Sequence, residues 1–137
     1  MSGGGQVNTI DYVTTTTTGN ATDFGDLTST TTNAGCSNGV RAVFGGGSGG
    51  PHSNIIDYIT IATTGNATDF GDLLTTLDAM ASLSDGTKGV WGGGNASGAG
   101  NTGSNVIQYV TIANTGNATD FGDLTVARRY VAGLSGT

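Results

Sequence analysis

The chain reads as an all-β array of short antiparallel units, on three observations. The string Gly-Asn-Ala-Thr-Asp-Phe-Gly-Asp-Leu occurs three times without change, at 19–27, 65–73 and 116–124. Self-similarity at such a period marks one supersecondary unit per copy. A β-branched apolar run precedes each copy, and turn residues punctuate the chain at short intervals. No window of useful length shows helical periodicity.

The upstream runs are Asn8-Thr-Ile-Asp-Tyr-Val-Thr, Asn54-Ile-Ile-Asp-Tyr-Ile-Thr-Ile and Asn105-Val-Ile-Gln-Tyr-Val-Thr-Ile. Their composition is that of strands. In the second run, Ile56, Tyr58 and Thr60 share one face and Ile55, Ile59 and Ile61 the other, because side chains alternate along a strand. With both faces largely apolar, the strand should be covered on both sides. Gly19-Asn20, Gly65-Asn66 and Gly116-Asn117 then read as hairpin turns, since Gly and Asn tolerate positive φ. The rest of each string is a second strand with Phe and Leu as buried anchors: Phe24 with Leu27, Phe70 with Leu73, Phe121 with Leu124. Their spacing of three departs from strict alternation, so the intervening glycine marks a bulge or twist.

Further along come Cys36-Ser37, Leu83-Ser84 and Leu134-Ser135, the first two followed by hairpin signals at Asn38-Gly39 and Asp85-Gly86. A third strand is Val40 to Phe44 in one unit and Gly89 to Trp91 in the next, each running into three glycines. Such a run permits a tight bend and close backbone approach. Its entropy demands that something fix it in place. Strands are thus expected at 8–14, 21–27, 40–44, 54–61, 67–73, 89–91, 105–112 and 118–124. The segment 73–83 could pass as helical alone, but 28–35 and 125–133 could not, so all three are read as strand and loop.

A strand ending in a glycine doublet, then a Tyr-bearing strand, an aromatic, a Leu and an Arg, resembles the kelch repeat of β-propellers. The residues are Gly45-Gly46, Tyr58, Phe70 and Leu73, and again Gly92-Gly93, Tyr109, Phe121, Leu124 and Arg128. Phe stands where the family's Trp is usual, and the Arg occurs only in the last unit (Arg128, Arg129). The Thr/Gly/Asn-rich form is also similar to kelch-like repeats encoded by marine bacteriophages. The resemblance implies three kelch-like blades of three to four antiparallel strands in one array, with units near 3–47, 48–94 and 95–137. Three Tyr strands and three Phe strands are matched by only two Val/Phe-Trp strands, so the ring is expected to be incomplete within one chain. Propellers need about four or more blades to close. Association through blade faces follows as an expectation, a dimer of six blades being simplest; the alternative is a piece of a longer propeller.

With 137 residues, 35% hydrophobic, the chain has room for one domain. Glycine supplies 26 residues, a share that on its own drifts toward low complexity, but the ordered period argues for structure. All ten acids are Asp, six of them inside the strings, against four Lys and Arg, for a net charge of −6. Phosphate-backbone binding needs clustered cations, so nucleic acid is excluded as a partner. No apolar run approaches a membrane span, and none resembles a signal peptide. Cys36, the single cysteine, cannot pair internally and reads as a small buried hydrophobe. Sequons at Asn20, Asn66, Asn95 and Asn117 read as turn asparagines.

The paired aspartates (Asp69 with Asp72 and equivalents) could be calcium ligands, but Asp also closes turns, and triplication is first a folding signal. No cofactor and no metal are expected. Asp11 and Asp57 become Gln108 in the last unit, so charge is dispensable at that place. His52, beside Pro51 in a glycine-rich loop, has no catalytic or metal constellation in sequence, and the triple glycines do not precede helices as dinucleotide fingerprints do. The loops after the triple glycine differ while the strands hardly change, and recognition in repeat folds sits in such loops. Ser48, His52, Ser53, Asn95, Asn101 and Ser104 are the candidate binding residues. These readings favour a non-enzymatic structural or binding protein, and the resemblance to phage-encoded repeats implies a virion fibre, tail or capsid-surface component, partnered by itself, by other virion proteins or by a cell-surface glycan. The alternative is a glycan- or protein-binding module of a bacterial surface protein, extracellular or at the cell surface. A hydrolase or lyase on a propeller scaffold is the third class; it would need acids and bases converging on a pocket.

Overall fold

The computed structural model describes residues 7–31, 33–96 and 102–135. These residues form strands and loops without a helix. A two-stranded sheet pairs β1 (Thr9–Tyr12) with β2 (Thr22–Asp26). A four-stranded antiparallel sheet follows in the order β3 (Ala34–Ser37), β4 (Arg41–Gly45), β5 (Ile55–Thr60), β6 (Thr68–Asp72). The second four-stranded sheet has the same order of parts: β8 (Ala81–Ser84), β9 (Lys88–Gly92), β11 (Ser104–Thr111), β12 (Thr119–Arg128). Between them a short pair joins β7 (Leu77–Asp78) to β10 (Asn95–Ala96). Each four-stranded sheet draws two strands from either side of an expected unit boundary, at 47/48 and at 94/95.

All eight expected strands are present, with ends shifted by a few residues, and β3 and β8 add a fourth to each full sheet. Segment 73–83 is strand and bend. The hairpins at Asn38-Gly39 and Asp85-Gly86 are closed by side chains. Asn38 Oδ1 accepts the Val40 and Arg41 amides, and Asp85 Oδ1 those of Thr87 and Lys88. The Lys88 amide, with Thr87, holds the Asp85 carboxyl below its usual range.

The Gly-Asn pairs are not the tight hairpin turns. Those lie upstream, where Thr17, Thr63 and Asn114 donate to the carbonyls of Thr14, Thr60 and Thr111. The Gly-Asn groups are used between repeats instead, as described below. A bulge is present in all three Tyr–Phe ladders. Ile10, Ile56 and Ile107 face Gly25, Gly71 and Gly122, while the next residue faces Asp23, Asp69 or Asp120. The residue skipped each time is the Phe, which leaves its backbone outside the ladder. The first Asp of each string closes the bulge by accepting the Gly amide, at 3.1, 3.2 and 3.3 Å. Each Phe ring meets its Tyr edge-on, centroids 5.8–6.0 Å apart, a favoured aromatic geometry.

The core lies between the two four-stranded sheets and gathers Val43, Ile56, Phe70, Leu73, Leu77, Met80, Trp91, Val110 and Ile112. Trp91 is its pivot. Its Nε1 donates to Ala34 O across the sheets at 2.9 Å, and a Cβ on Gly45 would come within 2.8 Å of its ring. Glycine is therefore required at 45 for the indole to lie flat on the neighbouring backbone. Cys36 packs at the same junction, where a Cβ on Gly89 would lie 2.8 Å from its sulfur. Cys36 is half-buried against the core rather than fully buried, and that burial pushes its thiol up to about 11. The expectation of a strand covered on both faces holds for β5, where Ile56, Asp57 and Ile59 are buried; the equivalent β1 of the first copy is exposed. The anchor expectation holds for Phe24, Phe70 and Leu73, is met in part by the half-buried Leu27 and Leu124, and fails for the exposed Phe121.

Candidate functional site

Two sets of residues are candidates, the string and the variable loops. The string joins one repeat to the next. Gly65 N donates to Phe24 O at 2.8 Å and Ala67 N to Asp26 O at 2.7 Å, while Asp26 N donates to Asn66 Oδ1 at 3.1 Å. The next joint repeats this at 2.8, 2.7 and 3.0 Å: Gly116 N to Phe70 O, Ala118 N to Asp72 O, Asp72 N to Asn117 Oδ1. The bulge frees the Phe carbonyl for the neighbour. A Cβ on Gly25 or Gly71 would meet the neighbour's Gly65 or Gly116 oxygen at 2.3 or 2.5 Å, so no side chain fits there. The string thus docks its Gly-Asn-Ala end onto the Phe-Gly-Asp end of the preceding copy.

A second lock stands beside it. Asp57, 1% exposed, accepts the Thr28 amide at 3.0 Å and the Thr28 hydroxyl at 2.8 Å. In the following joint Gln108 Oε1 accepts the Leu74 amide at 2.7 Å. Thr28 and Leu74 directly follow the string's Leu. Asp or Gln suffices because the place needs an acceptor, and Asp stands where the donor also offers a hydroxyl.

The variable loops hang from the glycine runs. Gly47 N donates to Leu77 O and Gly94 N to Arg128 O, at 2.7 and 2.9 Å, and these bonds fix the runs in place. The loops are then closed by Ser53 N to Gly47 O and Ser104 N to Gly94 O, both 2.7 Å. The hydroxyls of Ser53 and Ser104 accept the Ile55 and Val106 amides. Ser48 pairs with His52 in an isolated bridge. His52 Nε2 lies 3.7 Å from Asp78 Oδ2. Asp78 in turn pairs with Asn95 in the β7–β10 ladder. His52, Asp78 and Asn95 therefore come together at one end of the sheets; Asn101 lies outside the described residues. His52 Nδ1 and Asp78 Oδ1 are buried without a hydrogen-bond partner among the described residues. A groove of about 300 Å3 runs past His52, Pro51, Ser29, Thr30 and Thr31. This arrangement can offer donors and acceptors to a polar ligand. Asp78 and the Thr30 wall were not foreseen. The signal for Asp78 was that it breaks the repeat, since Arg129 stands at the matching place of the next copy.

Among the described residues no three His, Cys, Asp or Glu side chains converge on a metal-sized site. Compared with known proteins, the chain matches no family model and no curated protein.

Proposed function

We propose that the chain is a non-enzymatic structural and binding protein, a scaffold of kelch-like repeats that carries variable loops at one end of its sheets. The observation that supports this reading is the use of the triplicated residues. Gly, Asn, Ala, Phe, the second Gly and both Asp of the string are spent on the bulge and on the joints between copies. What varies between copies is the His52 loop and its counterpart at 95–104. A division between repeated joints and variable loops suits a protein that presents surfaces. The similarity to marine phage repeats supports a virion fibre, tail or capsid-surface component, bound to other virion proteins. Fold alone supports this only by analogy. Mass spectrometry of purified particles from the encoding phage tests it: the chain should be present at stoichiometric abundance, and its absence from intact particles would overturn the virion role.

A glycan-binding module of a bacterial surface protein is the second reading. It is favoured by three equivalent polar grooves of about 120, 250 and 410 Å3 beside the hairpin loops, each edged by a Tyr and by the Gly-Asn pair. Binding on a glycan array that is lost on Tyr58→Ala and Tyr109→Ala would favour this reading.

A further inference from the structure

The two internal joints leave two complementary surfaces unused. At one end Phe121-Gly122-Asp123 carries the same bulge as its counterparts, but a Cβ on Gly122 would meet nothing within 4 Å. Phe121 is 58% exposed. At the other end Ala21 is exposed where its counterpart Ala118 is buried, and among the described residues Gly19, Asn20 and Ala21 make none of the bonds by which their counterparts donate to Phe and Asp carbonyls and accept an Asp amide. The chain therefore displays both halves of a joint that it makes twice within itself, in identical residues.

The acceptor beside the string identifies the occupant more narrowly. Internally, Thr28 pairs with Asp57, and Leu74 with Gln108. Among the described residues Thr125, which follows Leu124, and Asp11 make no such pair, and Asp11 is exposed where Asp57 and Gln108 are buried. Thr with Asp reproduces the first internal pair, in which amide and hydroxyl both reach the carboxylate. A Leu at 125 would still have offered its amide, as Leu74 does, but not the hydroxyl.

We infer that the Phe121-Gly122-Asp123 end docks head-to-tail onto the Gly19-Asn20-Ala21 end of a second copy of this chain, with Asp11 of the second copy accepting the Thr125 amide and hydroxyl. Because the two surfaces differ, the contact is heterologous and yields a closed ring or an open filament according to its rotation. The inference does not rest on the virion reading. A virion protein could use the contact, and so could a surface module.

Sedimentation equilibrium of the full 137-residue chain, from about 1 to about 100 μM, tests the contact over the range of a weak protein interface. The expected result is concentration-dependent association beyond the monomer. Asp11→Ala and Asn20→Ala remove exposed acceptors and should leave the circular dichroism spectrum and melt unchanged. Each should weaken association about tenfold, the scale of a lost bond to a charged or buried partner. Gly122→Ala places a methyl where the second copy's Gly19 oxygen must lie and should abolish association. The pair Asp11→Gln with Thr125→Leu copies the Leu74–Gln108 joint and should restore most of what Asp11→Ala loses. A folded monomer at the highest concentration would overturn the inference. So would association indifferent to the Asp11, Asn20 and Gly122 substitutions.

Discussion

Phe70 and Phe121 stand at the same place in two copies of one nine-residue string, yet the first is 3% exposed and the second 58%. Their local structure is the same. Both are the skipped residue of a bulge, both meet a Tyr edge-on at 5.8 Å, and both are followed by a glycine at positive φ. The difference is the next repeat. Gly116, Asn117 and Ala118 close over Phe70, and Ala118 itself becomes buried. Local sequence sets the bulge and the ring pair; burial is conferred by the neighbour. In this array a residue's energetic weight is thus a property of its position in the series.

The comparison can be broken most forcefully at the aromatic ring. Phe70→Ala should cost about 3–5 kcal/mol by denaturant unfolding, the range for a deleted core ring. Phe121→Ala should cost less than about 0.5 kcal/mol, as at an ordinary surface site, when measured dilute enough to keep the chain single. Equal losses at the two sites would mean that Phe121 is covered in solution by something within the chain.

A glycine pair isolates the backbone approach. Gly71 and Gly122 have φ of +145° and +138°, so alanine is strained at both. Only at Gly71 does the added carbon also meet a neighbour, Gly116 O at 2.5 Å. Gly71→Ala should therefore destabilise by about 2 kcal/mol more than Gly122→Ala, the scale of an overpacked contact. Asp57→Ala against Asp11→Ala asks the same of the acceptor. The first orphans the Thr28 amide, which costs about 1–3 kcal/mol. The second, at an exposed residue, should leave the stability of the single chain unchanged.

A smaller effect is expected with pH. The Cys36 thiol is raised from 9.0 to about 11 by burial between the sheets. A group whose folded value is raised contributes stability that is full below its unfolded value and is lost as pH rises through the folded one. Thermal melts should therefore drop between pH 9 and pH 11 by more in the wild type than in Cys36→Ala. The smallest effect expected is none at all: melts with calcium and with a chelator should agree. Asp23, Asp69 and Asp120 already accept the bulge glycine amides. A calcium-induced rise of several degrees, as mass action gives for a tight ligand, would show that the aspartates have a second task.

Much of this architecture was legible beforehand, because strand and turn signals are local. The Tyr strands, the Asn38 and Asp85 hairpins and the glycine-marked bulge all depend on residues within a few positions of one another. The Gly-Asn pair was misread as a turn for the same reason. Its residue types fit a turn, and nothing nearby in sequence tells that its amides and its Asn Oδ1 serve a strand some 40 residues earlier. The loop site was half legible. His52 stood out as the single histidine, whereas Asp78, 3.7 Å away, lies 26 positions along in an unremarked Leu-Asp pair.

The sequence by itself determined the unit: which residues extend, where the chain reverses, where a ladder must carry one residue too many. These follow from backbone sterics and hydrogen bonding within a hairpin, and they are the same in every copy. Only the tertiary structure decided what the repetition is for. The skipped Phe carbonyl, the Asp amide and the Asp57 or Gln108 acceptor find partners one repeat away, at distances that no local rule encodes. A buried polar group must be paired, and here the partner is another copy of the same string, so identical residues are core in one copy and open surface in the next.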